Sequence, residues 1–398
     1  MTKANGAKTD AKASFFNFLI ALSCLCVLLQ IFSLPNKIAI VTSSTNLLLS
    51  VLWFLFGIFM IINGFFKRIS TPLATVTCII LFSLISFLIG VILDRGSLGQ
   101  LGKLLGFLML PIMLYCISAV GVTEKTRKTV LIANFIASLE YILLYHSNLR
   151  NAFETQYGTA NIPSVTLGFS NPNQTATFLF VCLVLLFVSL AFFKSKAMRI
   201  LLVADILYIS FILYKTDSRT AIVLLVAFIV LSLWSLKRKF SALFTELCLL
   251  APFFYMILAL AFTSLFENIK IMGDSIFTGR ENIYLRYFEN LDPIKFLFGD
   301  FSGFKFENLH NGYISVAATV GIAVLILYYT LLRKSLLSSC DKNLSSYASI
   351  AYCGLLCIVI YTSTEAGFLV GGTTYAFMSA MMFIMLPSEG KSPIAQKE

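Results

Sequence analysis

The chain has 398 residues, of which 58% are hydrophobic, and a mean hydropathy of +0.88. Apolar runs of about twenty residues separated by short basic loops exclude an ordinary soluble domain, and the roughly ten-residue alternating segments of a membrane β-barrel are not the pattern here. The net charge of +11 does not point to nucleic acid, because Lys and Arg gather at the ends of the apolar runs and no basic, aromatic-interleaved soluble domain exists to bind one. The sequence therefore predicts an all-α polytopic integral membrane protein, a single membrane-embedded domain over residues 1–398 with about twelve transmembrane helices.

In chain order the predicted spans are Phe15–Ser33, Leu47–Phe66, Leu73–Leu93, Leu104–Val120, Val130–Tyr145, Thr175–Phe193, Ile200–Tyr214, Thr220–Trp234, Leu243–Phe266, Asn311–Leu332, Tyr347–Ser363 and Thr373–Leu386. The first run follows Lys3, Lys8 and Lys12 but lacks a small-residue cleavage site, which favours an uncleaved span over a secretory signal. The seventh, eighth and twelfth are short, so they are expected to be less tilted, broken or partly re-entrant. With the N-terminus on the cytoplasmic side, nineteen of the thirty basic residues fall in inner segments, among them Lys125, Arg127, Lys128, Lys237, Arg238 and Lys239. The positive-inside rule then puts both termini in the cytoplasm. Eight cysteines fall in spans and Cys340 in an inner loop, so no external disulfide is expected, and neither Cys24/Cys26 nor Cys353/Cys357 has neighbours suited to a metal.

The outer connections are His146–Gln174, the short turn Lys215–Thr220, the turn Thr364–Gly372 that carries Glu365, and a large loop between spans nine and ten. That large loop, Glu267–Leu309, holds twelve of the chain's forty-nine charges. So many polar groups cannot lie in hydrocarbon, so the loop belongs in water at one face. Thr278-Gly279-Arg280-Glu281 fits a capping box. A helix from there to about Asn290 would carry Arg280, Tyr284 and Tyr287 on one stripe, lie along the membrane surface and aim Arg280 inward. Asp292-Pro293 would end it, and Phe298–Phe304 would turn the chain back into span ten.

Ser218-Arg219 at an outer helix end, Gly279-Arg280 opening the loop, Pro293 followed by Phe298-Gly299, and His310-Asn311 leading into an apolar helix with Gly321 are pieces whose order and spacing matter together. In that order, from about Asn171 to Val324, the chain resembles the O-antigen ligase and O-antigen and capsular polysaccharide polymerase superfamily. Asn171-Pro172-Asn173 is similar to the segment before the sixth span of many of its polymerases. The resemblance implies a glycosyltransferase of the bacterial cytoplasmic membrane, working at its outer face. It would take an undecaprenyl-diphosphate-linked glycan donor and a glycan or lipid-linked acceptor, alongside membrane lipids and flippase or chain-length-regulator proteins. The outer loop is shorter than in typical ligases, which favours polymerase over ligase.

The residue chemistry agrees. Outside the membrane a synthetic glycosyl transfer needs a donor that brings its own leaving group, and a departing diphosphate needs positive charge. Since no external Asp-x-Asp pair or His/Asp cluster is present, no metal or other cofactor is expected, and Arg219 and Arg280 are the diphosphate clamp. Histidine is the side chain suited to act as base toward the acceptor hydroxyl in an inverting transfer, which makes His310 the candidate. Glu365, Asn311, Tyr313, Asn171, Asn173 and Tyr284 are candidates to orient His310 or bind sugar. Plainer roles stay open: Arg219 as a snorkelling anchor, Arg280 as the solvated face of a helix, and Asn171 and Asn173 as turn and cap. The other functional classes are a ligase using the same donor site, a flippase or transporter, which should carry charges through several spans, and a cell-wall glycosyltransferase of the shape-and-division family.

Overall fold

The computed structural model describes residues 2–33, 39–66, 70–93, 100–147, 164–169, 171–235, 239–261, 270–271, 274–275, 280–300, 309–340 and 343–387. Apart from the two-residue antiparallel pair Lys270–Ile271 (β1) and Asp274–Ser275 (β2), every described element is helical. The helices are α1 (Thr2–Ser33), α2 (Ala39–Phe65), α3 (Thr71–Ile92), α4 (Leu101–Val120), α5 (Glu124–Ser147), α6 (Pro172–Phe192), α7 (Lys196–Lys215), α8 (Arg219–Ser235) and α9 (Ala242–Ala261). After the strand pair come α10 (Arg280–Glu289), α11 (Pro293–Phe298), α12 (Gly312–Val320), α13 (Ile322–Leu337), α14 (Ser346–Tyr361), α15 (Gly367–Val370) and α16 (Thr373–Met385). Eight helices are long and apolar enough to cross a membrane, within α1 to α7 and α9. Three shorter apolar helices, α8, α14 and α16, accompany them.

Each predicted span has its helix, and most helices begin earlier than the apolar pattern suggests because their first turns are polar. Arg127 shows why such a turn is stable: its Nε and Nη2 donate to the carbonyls of Ile384 and Leu386 at 3.0 and 3.1 Å, satisfying the end of α16. Four helices, α4, α6, α14 and α16, are buried on nearly every side and form the centre. The rest surround them and turn apolar side chains outward, such as Leu143 and Leu207, both 67% exposed. Apolar residues on both the inner and the outer side of a bundle are what a lipid environment allows. All nine cysteines are free.

Span ten departs from the expected single helix. It is broken at Gly321, where φ is 88° and ψ 168°, a conformation essentially reserved for glycine. The charged loop contains the expected helix, α10, and a second short one that the sequence reading missed. Asp292 caps α11 by accepting from the Lys295 amide at 2.8 Å, and Pro293 takes the first helical position, where no amide is needed. The capping box at Thr278-Gly279 and the turn after Asp300 lie outside the described residues.

Gly299 and Gly321 explain how α11 meets the break. A Cβ on Gly321 would stand 2.0 Å from the Leu297 carbonyl oxygen, and one on Gly299 2.4 Å from the Thr319 backbone. The Asp300 amide also donates to the Ala318 carbonyl at 2.6 Å. Gly372 has nearly the same conformation, φ 87°, yet its Cβ would meet nothing within 4 Å. Gly372→Ala should therefore show the cost of backbone strain alone, about 1–3 kcal/mol. Gly321→Ala should add the overlap with Leu297, costing a further 1–3 kcal/mol or so. Thermal unfolding of both variants in detergent checks this, with Gly321→Ala melting clearly below Gly372→Ala.

Candidate functional site

α6, α8, α12 and α16 begin, and α7, α9 and α14 finish, at one end of the bundle, where the sequence-derived candidates meet. The key segment is Leu309–Gly312. Asn311 is fully buried and caps α12: its Oδ1 accepts from the amides of Tyr313 and Ile314 at 3.0 and 3.2 Å. Its Nδ2 donates to the Pro252 carbonyl inside α9 at 2.9 Å. The Gly312 amide donates to the Thr362 carbonyl at the end of α14, 2.7 Å away. Just before these anchors His310 is held at φ +48°, a left-handed conformation uncommon for a side-chain-bearing residue. Among the described residues the other two non-glycine positions with positive φ are Leu167 and Asp217. Both sit in loops at this same end, and the Val165 amide joins those loops by donating to the Lys215 carbonyl at 3.1 Å. Strain gathered in one place is a mark of a functional site.

The site is recessed. Thr245 of α9 meets Tyr352 of α14 at 2.7 Å, hydroxyl to hydroxyl, near the opposite end. From that level Pro252 is about 10 Å along α9 and Thr362 about 15 Å along α14, whereas α9 continues about 14 Å beyond Pro252. Tyr329 of α13 donates to Glu246 of α9 at 3.1 Å. Gly321 is about 12 Å from Tyr329, and Pro252 about 9 Å from Glu246. α12 thus starts at about the level of Pro252, and the break at Gly321 separates it from α13. The short helices α14 and α16 and the start of α12 make a floor inside a rim of longer helices.

On this floor His310 Nδ1 faces Glu365 Oε1 at 3.9 Å. Glu365 is only 8% exposed, one turn beyond α14, with its amide on the Tyr361 carbonyl at 3.0 Å. The Tyr361 hydroxyl lies within electrostatic reach of both Glu365 and Arg280 and close to Ser218 and Thr177. Tyr361, and Tyr375 beside Glu365, thereby join four segments that are far apart in sequence. Nothing in the sequence separates these two tyrosines from other aromatic residues of the apolar runs, and the sequence reading missed them.

Arg219 and Arg280 are the first residues of α8 and α10. A cation there opposes the helix dipole, at a cost of about 0.3–1 kcal/mol, so helix stability does not explain either arginine. Arg280 donates from Nη1 to the Tyr255 hydroxyl of α9 at 3.4 Å, and Arg219 follows Ser218, which adjoins Tyr361.

The remaining candidates have visible structural work. Tyr284 is fully buried in a cluster with Ala259, Leu309 and Ile314. Tyr313 is 1% exposed, its ring 4.8 Å from that of Phe253. Asn171 caps α6, accepting from the Asn173 amide at 2.6 Å. Burial pushes the phenol of Tyr287 up to about 12, and that of Tyr284 higher still. Both therefore stay neutral at physiological pH and offer no phenolate base. Among the described residues no group of three His, Cys, Asp or Glu side chains converges as a metal site. No protein-family model, curated protein or solved structure matches the chain.

Asn311 can be tested apart from any chemistry. Asn311→Ala removes a cap and leaves the Pro252 carbonyl without its donor, which together should cost about 2–4 kcal/mol. Asn311→Asp keeps the cap geometry but turns a carboxylate oxygen toward that carbonyl. Both should lower the melting temperature in detergent, whereas Asn173→Ala, whose side chain makes no cap contact, should change it little.

Proposed function

We propose that the protein is an inverting glycosyltransferase that polymerises oligosaccharide units carried on undecaprenyl diphosphate, acting at the outer face of the bacterial cytoplasmic membrane. The observation that carries this reading is the His310–Glu365 pair, held on a recessed floor that Arg280 reaches from α10 and beside which Arg219 opens α8. The membrane reading has twelve crossings: the eight long helices, the short α8, α14 and α16, and α13 as the tenth, with α12 leading into it through the break at Gly321. Positive-inside asymmetry puts the floor outside. The order and spacing of Ser218-Arg219, Arg280, Pro293 and His310-Asn311 remain the reason for naming the polysaccharide polymerase and O-antigen ligase superfamily.

In this mechanism an acceptor hydroxyl oxygen attacks the anomeric carbon of the donor sugar. The bond from that carbon to the diphosphate oxygen breaks, and the diphosphate leaves with the electron pair, its charge met by the two guanidinium groups. The acceptor proton passes to His310. Glu365 beside Nδ1 favours the tautomer with the proton on that nitrogen, which leaves Nε2 as the acceptor of the proton and gives the charged ring a counter-ion. At 3.9 Å the contact is longer than a hydrogen bond, as is common before substrate closes a site. The charges of this site gather at one end instead of lining a path through the bundle, which favours transfer over transport.

Reaction of purified protein with synthetic undecaprenyl-diphosphate repeat units tests the assignment. A ladder of products supports polymerase. A single transfer that needs a separate acceptor means ligase, and unaltered substrate moved between leaflets means flippase. His310→Ala should lower turnover roughly a hundredfold or more with donor binding preserved. Glu365→Gln should lower kcat while leaving KM for the donor unchanged. Arg219→Ala and Arg280→Ala should weaken donor binding as well, with Arg→Lys only a partial rescue because a point charge cannot reproduce the planar fork. Activity should survive excess EDTA, since the arginines carry the leaving-group charge. Near-normal rates in well-folded His310→Ala would leave that residue structural.

Sidedness has its own test. A cysteine at the exposed Asn290 should react with an impermeant maleimide in intact spheroplasts, and one at the exposed Ser195 should react only after lysis. The reverse pattern would sink the outer-face assignment.

A further inference from the structure

We propose that α11, with one face of α10, is seated in the lipid leaflet on the site's side of the membrane, so that the partner of this element is the acyl-chain layer itself. This does not depend on the glycosyltransfer reading; it follows from depth and from which side chains are outward. The Ser86 hydroxyl of α3 donates to the Phe298 carbonyl at the end of α11. Ser86 is about 9 Å short of the end of α3, so α11 ends well below the tip of that helix. The close approach of Gly299 and Leu297 to Thr319 and Gly321 fixes the same depth from a second side. On α3 this level is flanked by Leu88 and Ile92, 54% and 77% exposed, which continue the outward apolar surface of the bundle.

At that depth α11 turns Ile294, Phe296 and Leu297 outward, each between 43% and 49% exposed. Water would penalise such a row on a helix of six residues, whereas acyl chains would not. The preceding helix is divided accordingly. At about 100° per residue, Arg280, Ile283, Tyr284 and Tyr287 form one sector of α10. Tyr284 is buried there, with Ile283 and Tyr287 packed on the same cluster against α9. Leu285 and Phe288, 46% and 42% exposed, form a second sector in the later turns, beyond the half-buried Glu281 of the first turn, and this part is continuous with α11. Asn282, Arg286, Glu289 and Asn290, all exposed, form the third. Protein, hydrocarbon and water each receive one side, the arrangement of a helix lying at an interface. The backbone can sink this far because α11 satisfies most of its own hydrogen bonds and Ser86, Asp300 and Ala318 take up the groups at its end. Lipid seating would hold α10 at a fixed height and with it Arg280 over the recess.

The photoreactive residue p-benzoylphenylalanine, placed singly at Phe296, Leu297, Leu207 or Asn290, tests this in proteoliposomes of defined phospholipid. Irradiation is followed by mass spectrometry of the adducts. Leu207 on the outward face of α7 should give phospholipid adducts. Phe296 and Leu297 should give adducts at a comparable level, and Asn290 should stay near background. The two α11 positions guard against one variant failing to fold. Phospholipid adducts at Leu207 but at neither α11 position would overturn the proposal, whether those positions react with water or cross-link to protein.

Discussion

Everything at the site end depends on one buried side chain. Asn311 starts α12 through its Oδ1 and holds that start against α9 through its Nδ2. In hydrocarbon an unsatisfied amide or carbonyl costs several kcal/mol, so an irregular stretch at this depth survives only when protein groups take up its polar atoms. Asn311 does this on one side and the Gly312 amide on the other. With the two residues that follow it pinned in this way, His310 keeps its left-handed backbone and faces Glu365.

The same constraint explains why the helices differ in length. A helix that runs the full thickness of a membrane satisfies itself; a helix that stops short must hand its last carbonyls to something else. α14 hands that of Thr362 to Gly312, and the turn beyond it places Glu365. The break at Gly321 is closed by α11, whose carbonyls approach where a side chain would stand. Short helices, a broken span and a docked loop are therefore one feature: they create a floor below the rim and pair the backbone amides of Gly312 and Asp300 with neighbouring segments.

This geometry suits a reaction in which a lipid-borne substrate presents a charged headgroup. The floor lies deep enough to be partly shielded from water, which strengthens the hold of a guanidinium on phosphate oxygens. Each arginine opens its helix, at the end where a cation works against the helix dipole. His310 and Glu365 come from different segments, so their pairing is made by the fold.

Much of the architecture was legible in the sequence because lipid imposes a simple rule. Runs such as Thr175–Phe193 must be helical whatever they pack against, since no other backbone state hides its polar groups, and the C-terminal ends of ten of the twelve predicted spans fall within two residues of an observed helix end, while several helices start well before the predicted span. His310, Arg219 and Arg280 stood out for a related reason: charged or titratable groups beside apolar runs are few, so each demands an explanation. The sequence could not reveal that Gly321 breaks the tenth span or that α11 sinks beside it. Those outcomes depend on close contacts between distant backbones, and an isolated glycine in an apolar run reads the same whether or not a carbonyl stands against it. Nor could it show that Tyr284 and Tyr313 are packed away while Tyr361 and Tyr375 border the floor. Local composition sets which segments are helical. Which face of each helix meets a neighbour, lipid or the recess is set by the sum of all the packing contacts, and only the tertiary structure contains that sum.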